Sequence, residues 1–463
     1  MPDKPETIEI GGDDLTPEEE QAITEKALGT DVDGDRASLE IVGFSSRFSI
    51  FTPTHDPQYL ERLYASLAEQ TYGNWKWLIL VNGLFNLPPI IEADPRVTVI
   101  HGAHLKGIGE LKHVLCMRAD GEYLVEVDHD DWLHPEALFE IDKAIQENDT
   151  PEFLYSDFVN LKPDGTSDVY STAFGWENYE FELKGNKYRA NVAPPCNARS
   201  IYQIFYAPNH VRVWRRDFYN DIGGHDRTME VCDDHDLLCR TYIAGARMIH
   251  IPKPLYFYRL RGDRLNTYLV QNAEIQKKQQ EVGNKYFYDL VHQESERRGL
   301  RKIDLGGLHN SPPGYESLDI RSGADLQHNV AHGLPFEDNT IGVIRAVDFL
   351  EHVPGGNEVI DLMGEIWRVL APNGFLISST PSTDGKGAFC DPTHVSFWND
   401  LSFRYYCDPN FMKYVPDFKG LFQPTRVWTN FPSDWHKDND VPYVHADLMK
   451  INHPVKKELK ELP

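Results

Sequence analysis

The chain has no run of about 18 or more apolar residues, so no membrane-spanning helix is expected. It has six cysteines, scattered without a CxxC pair. That usage fits buried or idle thiols in a reducing compartment and disfavours a disulfide framework or a zinc knuckle. Positive charge is scarce: 46 Lys and Arg stand against 72 Asp and Glu, for a formal net charge of -26. Tracking a phosphate backbone rests on Lys and Arg neutralising phosphates, so bulk charge disfavours a nucleic-acid acceptor, while a local basic groove stays open as an alternative. The start, "MPDKPETIEIGGDDLTPEEE", lacks the basic and apolar regions of a secretory signal, and a cytoplasmic location is expected. What remains is a globular composition, 41% hydrophobic and 25% charged, over 463 residues, enough for two cores.

Strand and helix signals divide the chain. Residues 1–44 read as a flexible acidic arm with one short helix, "TPEEEQAITEKAL". From 45 to 267, strands such as "RFSIFTPT", "WKWLILVNG", "RVTVIH" and "EYLVEVD" alternate with helical stretches. Asp56 is placed to cap the first of these and Pro57 to open it. Between 150 and 210 the pattern loosens into aromatic, Pro- and Gly-rich segments expected to be loops or lids. Two strands, "RMIHI" and "PLYFYRL", close the region. Residues 268–299 read as a polar helical connector, 300–430 as a second α/β series opening at "RKIDLGG", and 431–463 as a polar tail. The β-α-β order predicts mostly parallel sheets covered by helices, with ligands at the carboxyl ends of strands.

The stretch "YLVEVDHDDWLHP" delivers three carboxylates, Asp128, Asp130 and Asp131, to the exit of a buried strand. Asp128 and Asp130 are hard oxygen ligands suited to Mg²⁺ or Mn²⁺, with water and substrate phosphate completing the shell. The bland alternative is an Asp-rich turn.

Three ordered motifs, "FSIFTPTHDPQYLERLYASLAEQTYGNWKWLILVNG", "GEYLVEVDHDDWLHPEAL" and "IGGHDRTMEVCDDHDLLCRTYIAGARMIHIPKPLYFYR", resemble the family 2 glycosyltransferases. The resemblance implies a GT-A (Rossmann-like) fold and a nucleotide-diphosphate sugar as donor. It also implies metal binding by "DHDD" and a catalytic base in "CDDHD", for which Asp234 is the candidate, with inversion at the anomeric carbon. The donor-binding set it implies is Pro53, Thr54, Asp56, Asn82, Lys106, Gly107, Asp128, His129 and Arg261. Asn82 stands where the family has an acid, and Arg261 lies where it often has a histidine, so a direct arginine–phosphate contact is an alternative to the metal. Lys106 and Lys112 either face phosphate or are solvated surface lysines. For Asp233 and Asp234 the alternative is complementing a helix dipole.

"RKIDLGG", "ESLDI", "GLPFEDNTIGVIRAVDFLEHVP" and "EIWRVLAPNGFLISSTP" resemble class I S-adenosylmethionine-dependent methyltransferases. This implies a second Rossmann domain in which Gly306 and Gly307 permit close backbone approach and Asp319 grips a ribose. The full GxGxG turn is absent, the helix before Asp319 is short or missing, and Asn329 replaces an acid, so scaffolding is the alternative to S-adenosylmethionine binding. The loop "PSTDGKGAFCDPTHVSFWN" combines Asp384, Asp391, His394 and Trp398 and is expected either to recognise the acceptor or to pack on itself; no cysteine–histidine spacing supports a zinc site there, so none is expected. The function expected is sugar transfer to a hydroxyl acceptor, a glycan foremost. A DNA-modifying enzyme acting on a hydroxymethylated base and a non-catalytic assembly protein remain alternatives.

Overall fold

The first strand, β1 (Ser46–Thr54), is buried along nearly its whole length, as a strand covered on both faces must be. It pairs in parallel with β2 (Trp75–Val81) on one side and β4 (Gly121–Glu126) on the other, and β3 (Val97–His101) extends the sheet beyond β2. The order of strand addition thus reverses between β1 and β4, which opens a crevice at their carboxyl ends. Helices α1 (Leu60–Ala68) and α2 (Ile108–Arg118) make the crossovers. As expected, Asp56 caps the short turn before α1, its Oδ1 accepting from Gln58 N at 3.0 Å. The structure is a computed structural model and describes residues 46–102, 105–172, 176–203, 207–260, 272–308 and 310–451. The acidic arm 1–44, Arg261 and the last residues of the tail lie outside them.

The sheet continues past β4 through β10 (Arg212–Arg215), β6 (Phe153–Leu161), β11 (Met248–Arg259) and the short β5 (Trp132–Leu133). β10 runs antiparallel to both its neighbours. Two expectations are corrected here. The segments "RMIHI" and "PLYFYRL" form one strand, β11, with register shifts around Pro254 where proline cannot donate to the ladder. The loosely patterned region beyond 150 contains β6 itself and a hairpin, β8 (Asn178–Leu183) with β9 (Asn186–Asn191). Its alternating "NYEFEL" and "NKYRAN" leave one face to solvent, which hid the period.

The second sheet has the order β14-β13-β12-β15-β16-β18-β17, built from β12 (Arg301–Leu305), β13 (Glu316–Asp319), β14 (Leu326–Gln327), β15 (Ile341–Val347), β16 (Leu370–Pro381), β17 (Phe422–Asn430) and β18 (Tyr443–Lys450). The order of strand addition reverses between β12 and β15, a second switch point. Among the described residues no helix joins β12 to β13, as the short spacing implies. The expected tail from 431 does not hold: β18 inserts antiparallel between β16 and β17. Its "YVHADLMK" buries Val444, Ala446 and Leu448 at 0% exposure. The polar residues on either side of this short run masked it.

The connector is one helix, α3 (Asn272–Arg297). Ile275, Val282 and Leu290 join a cluster with Ala198, Cys239 and Tyr242 of the first half, while Phe287 and Val291 join Val343, Phe375 and Met449 of the second. It is therefore a covering layer with two apolar stripes. We predict that Leu448→Ala costs about 2–5 kcal/mol, as for a fully buried leucine truncation, read as a lower urea midpoint. A chain ending at Asn430 is expected to lose the cooperative unfolding of the second sheet.

Candidate active site

The carboxyl end of β4 carries Glu126, two residues before Asp128. Glu126 is 1% exposed. An isolated carboxylate there would be strongly penalised by desolvation, so cations surround it. Lys112 Nζ of α2 lies 2.6 Å from its Oε1, and His210 Nε2 and Arg212 Nη1 lie 3.3 and 3.5 Å from its Oε2. Burial opposes the charge of Glu126, but Lys112, His210 and Arg212 together hold it well below the usual carboxylate range. The surface-lysine reading of Lys112 is thereby corrected: it is 6% exposed and also reaches Asp233 Oδ2 at 3.2 Å.

Arg212 extends the cluster to Asp234. Its Nη1 donates to Asp234 Oδ2 at 2.7 Å and its Nε to the carbonyl of Pro208 at 2.8 Å. Asp233 and Asp234 open helix α4 (Asp233–Ile243). The two acids differ: the Asp234 side chain is 25% exposed and that of Asp233 only 4%. Burial pushes Asp233 up to about 6 despite Lys112, whereas Arg212, then Lys112, overcome burial and keep Asp234 below its ordinary value. Asp226, a third acid in the region, is spent on a turn, accepting from Thr228 N and Oγ1. Gly109 fixes this geometry: a Cβ there would meet Asp226 O at 2.1 Å, so only glycine lets the 226–229 loop sit on α2.

The three aspartates after β4 divide. Asp131 turns inward, accepting from Arg259 N at 2.7 Å and Tyr256 Oη at 2.9 Å. Burial, then the charges of Asp130 and Asp128, push its carboxyl well above the usual range. Asp128 and Asp130 are each partly exposed. Tyr256 Oη also accepts from Asp128 N at 3.0 Å, so one phenol pins both Asp128 and Asp131. Glu126, Asp128 and His210 each bring a ligand-type atom within 4.8 Å of the others, a group that does not include Asp130. Glu126 is already committed to Lys112 and Arg212, which leaves Asp128 as the carboxylate of that group facing the crevice. Asp128 and the partly exposed Asp130 offer hard oxygens of the kind a divalent ion takes, and Asp131 registers the crowding of negative charge there.

The other expected donor residues gather at the same strand ends. Pro53 and Thr54 end β1, Thr54 Oγ1 donates to Asp56 O at 3.0 Å, and Asn82 N donates to Thr54 O at 2.7 Å. His129 is packed edge-on to His55 and stacked parallel to Tyr59, ring centroids 4.8 and 6.3 Å apart. Gly107 takes φ +82 at the start of α2, beside the exposed Lys106. Arg261 cannot be placed, but Arg259 can. Its guanidinium lies over Tyr59 and Trp132 at 4.7 and 5.5 Å, and its Nε donates to Asp130 O at 3.1 Å. Arg259 and Tyr256 were missed in the sequence, although both stand in the quoted "PLYFYR".

At the second switch point the expected cofactor grip is differently employed. Gly306 N donates to Leu318 O at 2.9 Å, which sets the glycine turn beside Asp319. The place suits a dinucleotide-type ligand, but the donor set does not. A Cβ on Gly306 would strike the Phe349 ring at 2.7 Å and one on Gly307 would strike Asp304 Oδ2 at 2.0 Å, so the space left by both glycines is filled by the chain itself. Asp304 is held there by Arg345 Nη1 and Ser311 Oγ, each at 2.8 Å. Both oxygens of Asp319 accept from Arg321, Oδ1 at 2.8 and 3.0 Å and Oδ2 at 2.7 Å. Of the loop residues, Trp398 is 3% exposed and stacks on Phe403 and Tyr406, so it is core and not an acceptor contact. Asp384 accepts from Ser382 Oγ in a local turn, while Asp391 and His394 come together beside His352.

Residues 49–202 match the sequence model described as Glycosyl transferase family 2, and residues 305–378 match one described as Methyltransferase domain. The chain therefore carries a family 2 glycosyltransferase domain followed by a methyltransferase-like domain. It is 24% identical over 235 residues to the O-antigen biosynthesis protein RfbC of Myxococcus xanthus, covering 48% of this chain and 17% of RfbC. It is 24% identical over 224 residues to glycosyltransferase GlyG of Streptococcus pneumoniae, covering 47% of this chain and 72% of GlyG. Hyaluronan synthase of Pasteurella multocida is 22% identical over 258 residues, 54% of this chain and 23% of the synthase. The chain spans about a fifth of the length of the first curated relatives it matches, 22% of y4gI of Sinorhizobium fredii and 17% of RfbC. Among solved structures, S. aureus TarS 1-349 in complex with UDP-GlcNAc is similar at 19% identity and a TM-score of 0.38, covering 54% of this chain and 73% of that one.

Because the buried Arg212 is the partner of both the buried Glu126 and the part-exposed Asp234, Arg212→Met is expected to cost about 3–5 kcal/mol, the usual result of stripping one partner from a buried ion pair. Urea denaturation checks it, and a loss below about 1 kcal/mol would show that the cluster is not a structural unit.

Proposed function

We propose that the first domain transfers a sugar from a nucleotide-diphosphate donor to a hydroxyl of a glycan, with inversion, and that Asp234 is the base. The supporting observation is that Asp234 is held by the same arginine that contacts Glu126, two residues from Asp128. The donor end and the acceptor end of the reaction are thereby locked in one frame.

In this reading the diphosphate lies at the strand ends near Thr54, Asn82 and Asp128, with Arg259 and Tyr59 at its edge. Asp128 and Asp130 would hold a divalent ion, Mn²⁺ or Mg²⁺, which supplies neutralising charge for the departing diphosphate when bound. Asp234 Oδ takes the proton of the acceptor hydroxyl as that oxygen bonds to the anomeric carbon. The bond from that carbon to the diphosphate oxygen breaks on the opposite face, and the diphosphate leaves with its electron pair. Arg212 keeps Asp234 ionised and fixes its direction at some cost in basicity, which proximity of the bound hydroxyl offsets. The reading of a glycan acceptor is supported by the names of two relatives, an O-antigen biosynthesis protein and a hyaluronan synthase, and the net charge of -26 weighs against DNA.

Asp234→Asn is expected to keep donor KM and lose kcat by about 10²–10⁴-fold, the usual contribution of a general base. Near-normal kcat would move the base elsewhere, with Asp233 the next candidate. Asp130→Ala, and to a lesser degree Asp128→Ala, are expected to abolish donor turnover while the melting temperature is kept. Turnover that survives in both variants would remove the metal assignment.

A further inference from the structure

The second sheet has a side-chain cluster at its strand ends that the sugar-transfer reading does not use. The turn Leu350–His352 follows β15, and the loop after β16 folds back over it. The two segments are fastened together: Val395 N and Ser396 N both donate to Glu351 O, at 2.8 and 3.1 Å, and Ser396 Oγ donates to Leu350 O at 2.8 Å. This brings His352 and His394 to a ring-centroid distance of 5.1 Å, with Glu351 beside them. One ligand-type atom from each of the three residues lies within 4.8 Å of the other two.

The hydrogen bonds around the cluster fix its chemistry. His394 Nδ1 lies 3.0 Å from Ala388 O, and His352 Nδ1 lies 3.2 Å from Thr393 O. A carbonyl oxygen only accepts, so each Nδ1 must carry the hydrogen, and in the neutral rings each Nε2 keeps its lone pair. Metal-binding histidines are oriented in this way, one nitrogen donating to a carbonyl while the other ligates. A second tie holds His352: Thr393 Oγ1 is 3.2 Å from its Nδ1 and donates to Asp391 Oδ1 at 2.6 Å. Glu351 is 2% exposed, and its Oε2 accepts from Thr380 Oγ1 at 2.6 Å, which leaves Oε1 as its remaining donor. No Lys or Arg of the described residues forms an ion pair with it, and a buried carboxyl without one stays neutral unless a bound cation supplies the charge.

We propose that Glu351, His352 and His394 form a binding site for a first-row transition-metal ion of the zinc class, with one coordination position open. Two imidazoles and one carboxylate select such an ion over Mg²⁺ or Ca²⁺, and three protein ligands leave a fourth tetrahedral position for water or an oxygen ligand. Ligand atoms about 2.0–2.2 Å from a tetrahedral ion stand roughly 3.3–3.5 Å apart, so binding needs the three side chains to draw together. The ligands come from segments some forty positions apart, beyond the reach of a local cysteine–histidine pattern. Exposed Phe389 and Phe397, stacked at 5.1 Å, stand on the same loop and give the site an apolar flank.

The test uses the full chain without a polyhistidine tag, carrying Asp128→Asn so that the first domain does not contribute, stripped with a chelator and titrated with Co²⁺. One equivalent is expected to bind and give visible d–d absorption, displaced by Zn²⁺. His352→Ala with His394→Ala should abolish the band, and Thr393→Val, which leaves all three ligands in place, should weaken binding about 10–100-fold. Absence of the band in the folded parent overturns the proposal. So does a band unchanged in the double variant. Should the double variant not fold, unchanged affinity in folded Thr393→Val overturns it as well.

Discussion

The first domain depends on one buried charge, Glu126. A carboxylate at 1% exposure persists only among cations, and the structure supplies two, Lys112 from a helix and Arg212 from a distant part of the chain, with the His210 imidazole beside them. Each of these three side chains is also committed elsewhere. Lys112 reaches Asp233, Arg212 reaches Asp234, and His210 Nδ1 is 2.6 Å from Tyr258 Oη. The satisfaction of one acid thus fixes where β4, β10, β11 and α4 end relative to one another. Buried ion clusters contribute little net stability against apolar packing; their consequence is position. Here the positioned groups are Asp128 on one side and Asp234 on the other.

The same logic separates the three aspartates that follow. Asp131 is turned inward and satisfied by Tyr256 and the backbone of β11, while Asp128 and Asp130 stay at the crevice. Repulsion that a folded chain would normally avoid is retained at the mouth of a switch point, the place where the proposed reaction would bring a cation and a diphosphate. The second sheet repeats the reversal of strand order but uses its acids otherwise. Asp304 and Asp319 are engaged by Arg345 and Arg321, and the glycines beside them make room for the chain's own side chains.

Much of this was legible in the sequence because it was local. Buried strands showed as apolar runs, Asp56 with Pro57 showed as a helix start, and the acids at 128, 130 and 234 stood in quotable motifs. What escaped was set by tertiary contact. Lys112 looks like any helix lysine until β4 and α4 are brought against it, and Arg212 in "HVRVWRR" cannot be told from Arg215 or Arg216. Tyr256 and Arg259 sit in a strand whose register decides which face they occupy. Trp398 lies in a loop of polar and glycine residues, yet the loop folds it into the core. β18 was lost because eight residues amid polar sequence carry too few periods to be recognised.

The account stands on the first domain cleaving a sugar from a nucleoside diphosphate. The most direct measurement is nucleoside-diphosphate release by the purified full chain from a panel of UDP-, GDP- and dTDP-sugars with Mn²⁺. The account predicts release above the uncatalysed background with at least one donor, abolished by chelation and accelerated by a glycan acceptor. No release from any donor by the folded, metal-supplied protein would contradict it.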